Sequence, residues 1–270
     1  MNPTFVYGTA WKKDATTQLV QTAVKAGFTA IDTANQPKHY SEWLVGEALE
    51  ALAREGMTRD KLFLQTKFTP LNGQDERLPY DPKADLKTQV NQSFASSLEH
   101  LKTDHVDSYL LHGPYSFPGL GDEDWAVWSA IEEIYRSGRA GMIGISNVNY
   151  LQLLALVEKA GIKPMVVQNR CYASKGWDRE VREICRKHGI LYQGFSLLTA
   201  NAPVLGHPPV VAIAKRLGVE SAQVIFRFAM QVGMVPLTGT TNAQHMKADL
   251  GAFRILLTED EVSFIESVAG

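Results

Sequence analysis

The sequence lacks the features that would connect it to a membrane, a nucleic acid or an oxidising compartment. Its 270 residues include only two cysteines, Cys171 and Cys185, too few for a disulfide framework or a zinc site. We therefore expect two buried thiols and a reducing, cytoplasmic setting. The first residues show no charged-then-apolar signal pattern, and no apolar run is long enough to span a bilayer. The net charge of −2, without a Lys/Arg run, argues against a nucleic-acid partner.

Several catalytic motifs are also missing. No G-x-G-x-x-G sequence follows a strand, which argues against a Rossmann domain, and there is no Walker-type GK[ST]. Neither a G-x-S-x-G elbow nor an H-E-x-x-H pair occurs, and the histidines show no ligand spacing. The sequence thus predicts no metal site.

Apolar runs that alternate with helical patterns fill the chain. The composition, 45% hydrophobic and 21% charged, suits one large globular domain over residues 1–270. The predicted strands are 5–8, 28–32, 62–67, 106–112, 142–146, 165–169, 190–196 and 234–237. They are continuous apolar runs rather than alternating ones, which is typical of a parallel sheet covered by helices. At this length, about eight strand–helix units predict an α/β fold, a single (β/α)8 TIM barrel.

Polar side chains follow most of the predicted strands. They are Asp32, Lys67, His112, Ser146, Asn147, Gln168 and Ser196, and the aromatic Phe195 stands beside Ser196. Tyr40 precedes a helix that Ser41 is expected to cap. Taken singly, Asp32 could be a helix cap, Lys67 a surface lysine and His112 a core histidine. The carboxyl ends of barrel strands converge on one face, where this fold keeps its active sites. Together the residues therefore predict a catalytic site.

The four residues Asp32, Tyr40, Lys67 and His112 suit one kind of chemistry. A buried lysine beside Asp32 would stay charged, and its charge would make the Tyr40 phenol a readier proton donor. The His112 N–H could face an oxygen that gains negative charge. Protonation of a developing alkoxide calls for a hydride on the other face of the carbonyl, so the set suggests carbonyl reduction with a nicotinamide as donor.

The chain resembles the aldo-keto reductases, NAD(P)H-dependent enzymes built on a (β/α)8 barrel. The resemblance covers nearly the whole chain and rests on an ordered series of segments. They are GTAWK (8–12), GFTAIDTA (27–34), VGEAL (45–49), TK (66–67), VDSYLLHGP (106–114), GRAGMIGISN (138–147) and VVQNRCY (166–172). The resemblance implies a catalytic tetrad of Asp32, Tyr40, Lys67 and His112. It also implies that Ser146, Asn147 and Gln168 hold the nicotinamide carboxamide and that Phe195 stacks on the ring.

The family resemblance leads us to expect further contacts with the coenzyme and with a small-molecule carbonyl substrate. The remaining coenzyme-binding candidates are Ser196, Leu198, Thr238, Gly239, Thr240, Asn242, His245 and Asp249. The substrate-binding candidates are Trp11, Thr69, Gly113, Tyr115 and Trp177. Thr69 and Gly113 stand where many relatives carry bulky aromatics, which predicts a wide entrance to the pocket. We expect the protein to act as a monomer.

The chain departs from the family pattern at three places. The segment from Asp32 to Glu42 is longer than usual, so His39 and Tyr40 compete for the tyrosine position, and we favour Tyr40. Phe195 replaces the usual tyrosine. The basic residues that read a 2′-phosphate are poorly matched, and His245 falls about where relatives carry an arginine. Since an imidazole is largely neutral at pH 7, we expect NADPH to be the coenzyme with only a modest preference, and NADH is the alternative.

Two other functions use parts of the same site. Lys67 could act as a Schiff-base nucleophile in an aldolase-type barrel, although Ser146, Asn147 and Gln168 would then have no purpose. The barrel could instead retain a coenzyme as a regulatory module with little turnover.

Overall fold

Eight parallel strands close into a barrel in the order in which they occur along the chain. The structure, a computed structural model, describes residues 2–268. The predicted domain, 1–270, also includes Met1, Ala269 and Gly270, which lie outside these residues. The strands are Val6–Gly8 (β1), Ala30–Asp32 (β2), Phe63–Phe68 (β3), Val106–Leu111 (β4), Ala140–Ser146 (β5), Val166–Arg170 (β6), Leu191–Phe195 (β7) and Met234–Thr238 (β8). Pairing of Val6 with Leu237 joins β1 to β8 and closes the barrel, which confirms the predicted (β/α)8 fold.

Helices cover the outside of the barrel. They are Thr16–Ala26 (α1), Glu42–Arg54 (α2), Leu86–Leu101 (α3), Asp122–Arg136 (α4), Tyr150–Lys159 (α5), Arg179–His188 (α6), Ala202–Leu205 (α7), Pro208–Leu217 (α8), Ser221–Gln231 (α9), Ala243–Leu250 (α10) and Glu259–Ser267 (α11). Helices follow the strands along the chain, as the alternation of apolar runs with helical patterns predicts. Ser41 precedes α2 as expected, but its side chain makes no capping hydrogen bond. Within residues 2–268, none of the helices combines the length and apolar character needed to cross a membrane.

The barrel interior changes from apolar to polar along the strands. Side chains alternate between the two faces of a strand, so Phe63, Gln65 and Lys67 of β3 all point inward. Phe63 packs with Val6, Ala30 and Val235 in an apolar cluster that fills the amino-terminal end of the barrel. Gln65 and Lys67 follow it toward the carboxyl ends of the strands, and both are fully buried. The apolar cluster thus supports a polar layer directly beneath the face where the predicted site lies.

A close helix contact holds α2, the helix that follows the predicted tyrosine. A Cβ atom at Gly46 would lie 1.9 Å from the backbone oxygen of His100, so only glycine allows α2 and α3 to pack at this distance. Glu42, in the first turn of α2, is buried and accepts hydrogen bonds from Thr66 of β3 and from His100, the latter at 3.2 Å. These contacts fix the start of α2, and with it the end of the loop that carries Tyr40.

Candidate active site

A buried ion pair lies at the end of β2 and β3. Lys67 Nζ donates to Asp32 Oδ1 at 2.6 Å and to Asp32 Oδ2 at 2.7 Å, and its third N–H bonds the backbone oxygen of Thr33 at 2.8 Å. The Lys67 side chain has no exposed surface and that of Asp32 is 3% exposed. Burial lowers the pKa of Lys67, while Asp32 and the more distant Glu42 act in the opposite direction. All three N–H groups of the ammonium are therefore engaged.

Tyr40 lies above this ion pair and beside His112. Its ring centroid is 5.4 Å from Lys67 Nζ and 5.9 Å from the centroid of the His112 ring, which it meets edge to face. His39 points elsewhere: its ring stacks on Trp11 at 4.0 Å, and its Nδ1 lies 3.0 Å from Gln36 Oε1. The structure thus brings Tyr40, and not His39, next to Asp32, Lys67 and His112.

The protonation of Tyr40 and His112 follows from their surroundings. Burial and the negative charge of Asp32 raise the pKa of Tyr40. This corrects the expectation that Lys67 would make the phenol a stronger acid, because the carboxylate neutralises the ammonium. Burial, Lys67 and His39 together hold the pKa of His112 well below its usual range. Both side chains are therefore neutral near pH 7.

Thr69 contacts His112 on the side away from the cavity. Its Oγ1 lies 2.7 Å from His112 Nδ1. A threonine hydroxyl can donate to an unprotonated imidazole nitrogen, and the ring proton then resides on the opposite nitrogen, Nε2. A neutral His112 in this tautomer can act as a hydrogen-bond donor through Nε2.

A cavity of about 660 Å³ extends from these residues over the ends of β5 to β8. Predicted site residues that line it are Trp11, Asp32, Tyr40, His112, Ser146, Asn147, Gln168, Phe195, Ser196, Leu198, Thr238, Gly239, Thr240, His245 and Asp249. Lys67 lies behind Asp32, beyond the cavity wall. Asn147 and Ser196 adopt left-handed backbone conformations with φ of 55° and 57°, which is uncommon for residues other than glycine and concentrates at functional sites.

The polar groups beside Asp32 are tied to one another. Ser146 Oγ donates to the backbone oxygen of Gln168 at 2.6 Å, and Asn147 Nδ2 donates to the backbone oxygen of His112 at 2.8 Å and to Ser146 Oγ at 3.2 Å. Gln168 Nε2 donates to Asp32 Oδ1 at 3.0 Å. The donors of these side chains are thus occupied, and acceptor oxygens remain for a ligand.

The opposite end of the cavity lies between β8 and α10. Thr238 Oγ1 donates to Asp249 Oδ2 at 2.9 Å, and burial raises the pKa of Asp249 to about 6. His245 is exposed in the first turn of α10. Asn242 does not line the cavity; its Oδ1 caps α10 by accepting from the backbone N–H groups of Gln244 and His245 at 2.8 and 3.3 Å.

Four predicted substrate contacts lie outside the cavity wall. Thr69 is buried behind His112, so its small size does not widen the entrance, and Gly113 and Tyr115 are also absent from the lining. Trp177 is fully buried: its ring packs 5.0 Å from that of Phe228, and its Nε1 donates to the backbone oxygen of Ile265 at 2.8 Å. The backbone at Trp177 has a φ of 56°, and this turn directs the indole into the core.

Arg170 lines the cavity but was not predicted. Its Nε donates to Ser196 Oγ at 3.1 Å, and its guanidinium lies 5.9 Å from the centroid of the Tyr172 ring. Strand alternation could have identified it, because Arg170 follows Gln168 by two residues and shares its face of β6. Glu220 and Phe226, which also line the cavity, follow no strand end and carried no comparable signal. Within residues 2–268 no group of His, Cys, Asp and Glu side chains is arranged to hold a metal ion.

Known proteins that are similar to this chain in sequence and structure are oxidoreductases. The model of the aldo/keto reductase family matches residues 4–202 and 205–269. The chain is 30% identical to the oxidoreductase YtbE of Bacillus subtilis over 92% of this chain and 82% of that protein. It is 27% identical to the glyoxal reductase of the same organism, over 93% of this chain and 83% of the relative. A crystal structure of an aldo/keto reductase from Brucella melitensis superposes with a TM-score of 0.83 at 26% identity, covering 99% and 95% of the two chains.

Proposed function

The chain belongs to the aldo/keto reductase family, and from that premise we propose that it reduces aldehydes or ketones to alcohols, with Tyr40 as the proton donor and NADPH as the preferred coenzyme. The family consists of oxidoreductases that act on carbonyl compounds and generally use nicotinamide cofactors. The observation that carries the proposal is the grouping of a neutral phenol, a neutral imidazole and a buried Lys67–Asp32 pair at one end of a long cavity. We also propose that residues 1–270 act as one catalytic domain, since a single closed barrel carries the cavity, and that the protein acts as a monomer.

The residues beside Asp32 fit a nicotinamide. Ser146, Asn147 and Gln168 would hold the carboxamide. Within residues 2–268 no protein donor reaches Asn147 Oδ1 or Gln168 Oε1, so these oxygens can accept from its N–H groups, and Phe195 offers a flat apolar face to the ring. The chemistry that a reduced nicotinamide supplies when bound is a hydride. A cavity of about 660 Å³ is within the range of cofactor sites.

The side chains of the protein then have separate roles. Tyr40 holds the proton that a carbonyl oxygen requires as its negative charge grows, and burial keeps this phenol protonated near pH 7. His112, with its Nδ1 beside Thr69 Oγ1, directs Nε2–H toward the same oxygen. Lys67 and Asp32 supply the fixed charges beneath Tyr40.

Coenzyme titration followed by a carbonyl panel tests the proposal. Nicotinamide fluorescence should change on binding of NADPH, and a panel of aldehydes and ketones should then show coenzyme oxidation. Binding without turnover across the panel would instead support a regulatory barrel. Absence of binding for both NADPH and NADH would reject the coenzyme-dependent function altogether.

Schiff-base chemistry is a weaker candidate. Lys67 does not line the cavity, has no exposed side-chain surface and uses its three N–H groups within the protein. Borohydride should therefore trap no aldehyde or ketone on Lys67. A covalent adduct mapped to Lys67 by peptide mass spectrometry would favour the aldolase-type reaction.

The preference for NADPH is proposed to rest on His245. This side chain lines the end of the cavity at the start of α10. Glu220 and Asp249 line the same cavity, and their carboxyl groups, when ionised, would repel a phosphate. An imidazole offers at most two N–H donors to a 2′-phosphate, whereas an arginine offers five, so discrimination for NADPH should be modest. The test compares kcat/KM for NADPH and NADH in the parent and in His245→Ala. A ratio below one in the parent would make NADH the coenzyme, and a ratio that the substitution does not change would reject the role of His245.

A further inference from the structure

Two buried glutamines lie under the site and have no part in the proposed chemistry. Gln65 of β3 and Gln193 of β7 point into the barrel, have no exposed surface and do not line the cavity. Gln65 Nε2 donates to Asp32 Oδ1 at 2.7 Å and to Gln193 Oε1 at 2.8 Å. Gln193 Nε2 returns a hydrogen bond to Gln65 Oε1 at 3.1 Å. Buried amides of this kind are retained only when their polar atoms are satisfied, so their partners define what they do.

Gln168 joins this pair from β6. Its Nε2 uses one hydrogen on Asp32 Oδ1 at 3.0 Å and the other on Gln193 Oε1 at 2.8 Å. Within residues 2–268, no protein donor reaches Gln168 Oε1, and Gln168 is part of the cavity wall. The three amides and the carboxylate thus form one network that leaves a single amide oxygen for the cavity.

The chemistry of Asp32 determines the orientation of these amides. An ionised carboxylate only accepts hydrogen bonds, so the NH₂ groups of Gln65 and Gln168 must face it. Gln193 must then present its oxygen to both NH₂ groups. If Gln168 were flipped, its Oε1 would meet the oxygens of Asp32 and Gln193 instead of accepting a hydrogen bond. Gln193 therefore supplies the second of the two acceptors that hold Gln168 in its present orientation.

We propose that Gln193, itself oriented by Gln65, is a positioning residue that fixes the Gln168 amide with Oε1 toward the cavity and so selects ligands carrying a primary carboxamide. This inference rests on the proposed function, since the carboxamide is that of a nicotinamide. The NH₂ group of a carboxamide on the ligand can donate a hydrogen bond to Gln168 Oε1. A methyl ketone in the same position has no N–H and cannot make this hydrogen bond.

The experiment compares the binding of two coenzymes. Reduced NADP has a carboxamide, and its reduced 3-acetylpyridine analogue has an acetyl group of similar size without N–H donors. Dissociation constants come from fluorescence titration in the absence of a carbonyl substrate, so no turnover is involved. The parent should bind the carboxamide roughly tenfold more tightly, the effect of about one buried hydrogen bond.

Substitution of Gln193 should remove this discrimination. Gln193→Met keeps the volume but loses the acceptor for Gln168, so the ratio of the two dissociation constants should fall toward one. Gln193→Glu should restore it, because a carboxyl group buried beside Asp32 stays protonated and can accept from both amides while donating to Gln65 Oε1. Gln89→Met is the matched control: Gln89 is a buried glutamine that donates to the backbone oxygen of Ala84 at 2.8 Å, remote from the cavity, and its substitution should leave the ratio unchanged.

The outcomes separate this inference from the proposed function. Loss of discrimination in Gln193→Met with recovery in Gln193→Glu supports the positioning role. A parent-like ratio in Gln193→Met overturns it, even though the parent binds both coenzymes. If Gln193→Met does not fold, Gln65→Met, which removes the partner that orients Gln193, decides in the same way. A parent that binds neither dinucleotide rejects the proposed function, and this inference with it.

Discussion

Replacement of Tyr40 by phenylalanine removes one oxygen atom from the site. Within residues 2–268, the only hydrogen bond of Tyr40 is that of its backbone N–H with Gln36, so the hydroxyl leaves no protein partner unsatisfied when it is removed. The ring contacts with Lys67 and His112 remain available to phenylalanine. We therefore expect the free energy of unfolding to change by less than about 1 kcal/mol.

The rate of carbonyl reduction should fall far more than stability. Loss of a general acid costs roughly 10²- to 10⁴-fold, which corresponds to about 3 to 5 kcal/mol of activation free energy. The loss should appear in kcat and kcat/KM together, because the phenol donates its proton only in the transition state. Single-turnover reduction of an aldehyde by saturating NADPH measures it, and fluorescence titration should show nearly unchanged coenzyme affinity.

His39→Ala is the matched control for Tyr40→Phe. His39 stacks on Trp11 and contacts Gln36, so its removal should disturb the entrance of the cavity and alter KM without abolishing the reaction. Full activity in Tyr40→Phe together with inactive, folded His39→Ala would refute the assignment and move the proton donor to the neighbouring residue. The pH profile gives an independent check. Because burial and Asp32 raise the pKa of Tyr40 above its usual value near 10, the kcat for reduction should not decline between about pH 7 and 9 through loss of this proton.

The remaining predictions concern stability and are measured by urea denaturation. Gly46→Ala should lower the free energy of unfolding by about 2 kcal/mol or more, because its Cβ would overlap the backbone oxygen of His100, and parent-like stability would mean that α2 and α3 separate easily. The hydrogen bond to Glu42 raises the pKa of His100, so protonated His100 stabilises the folded state. This contribution to the free energy of unfolding should be complete below about pH 6.5 and should diminish as the pH rises through the raised pKa of His100. His100→Gln should lack this pH dependence. Burial raises the pKa of Asp249 to about 6, so the parent is destabilised as the pH rises through this range, and Asp249→Asn, which keeps an acceptor for Thr238, should gain roughly 1 kcal/mol at pH 7 and nothing near pH 4. A gain that persists at pH 4 would trace to packing rather than to charge.

The architecture and the residues at the strand ends could be predicted from the sequence because both depend on local patterns. Apolar runs separated by helical segments determine a parallel barrel, and a barrel determines that Asp32 and His112 converge. Arg170 follows from the same alternation as Gln168. Trp177 could not be placed in this way, because a left-handed turn decides whether its indole faces the cavity or the core, and neighbouring residues do not specify that turn.

The glutamine network illustrates a second limit. A polar residue inside an apolar strand is a visible anomaly in the sequence, and both Gln65 and Gln193 are of this kind. Their proposed role depends on contacts between β3, β6 and β7, and 128 residues separate Gln65 from Gln193. These partners come together only when the barrel closes. The sequence therefore indicates that the two glutamines are unusual but does not predict which residues they contact.

The same dependence on closure explains why the expected acidity of Tyr40 was wrong in sign. An aspartate, a lysine and a tyrosine in one site leave open which pair is the closest. In the folded chain Lys67 Nζ lies 2.6 and 2.7 Å from the carboxylate oxygens of Asp32 and 5.4 Å from the centre of the Tyr40 ring. The Asp32 carboxylate therefore offsets most of the effect of the Lys67 charge on Tyr40. A phenol in these surroundings retains its proton until an oxygen nearby becomes strongly basic. That condition arises in the proposed reaction as a carbonyl oxygen gains negative charge, so burial and Asp32 keep the proton on Tyr40 until the transition state.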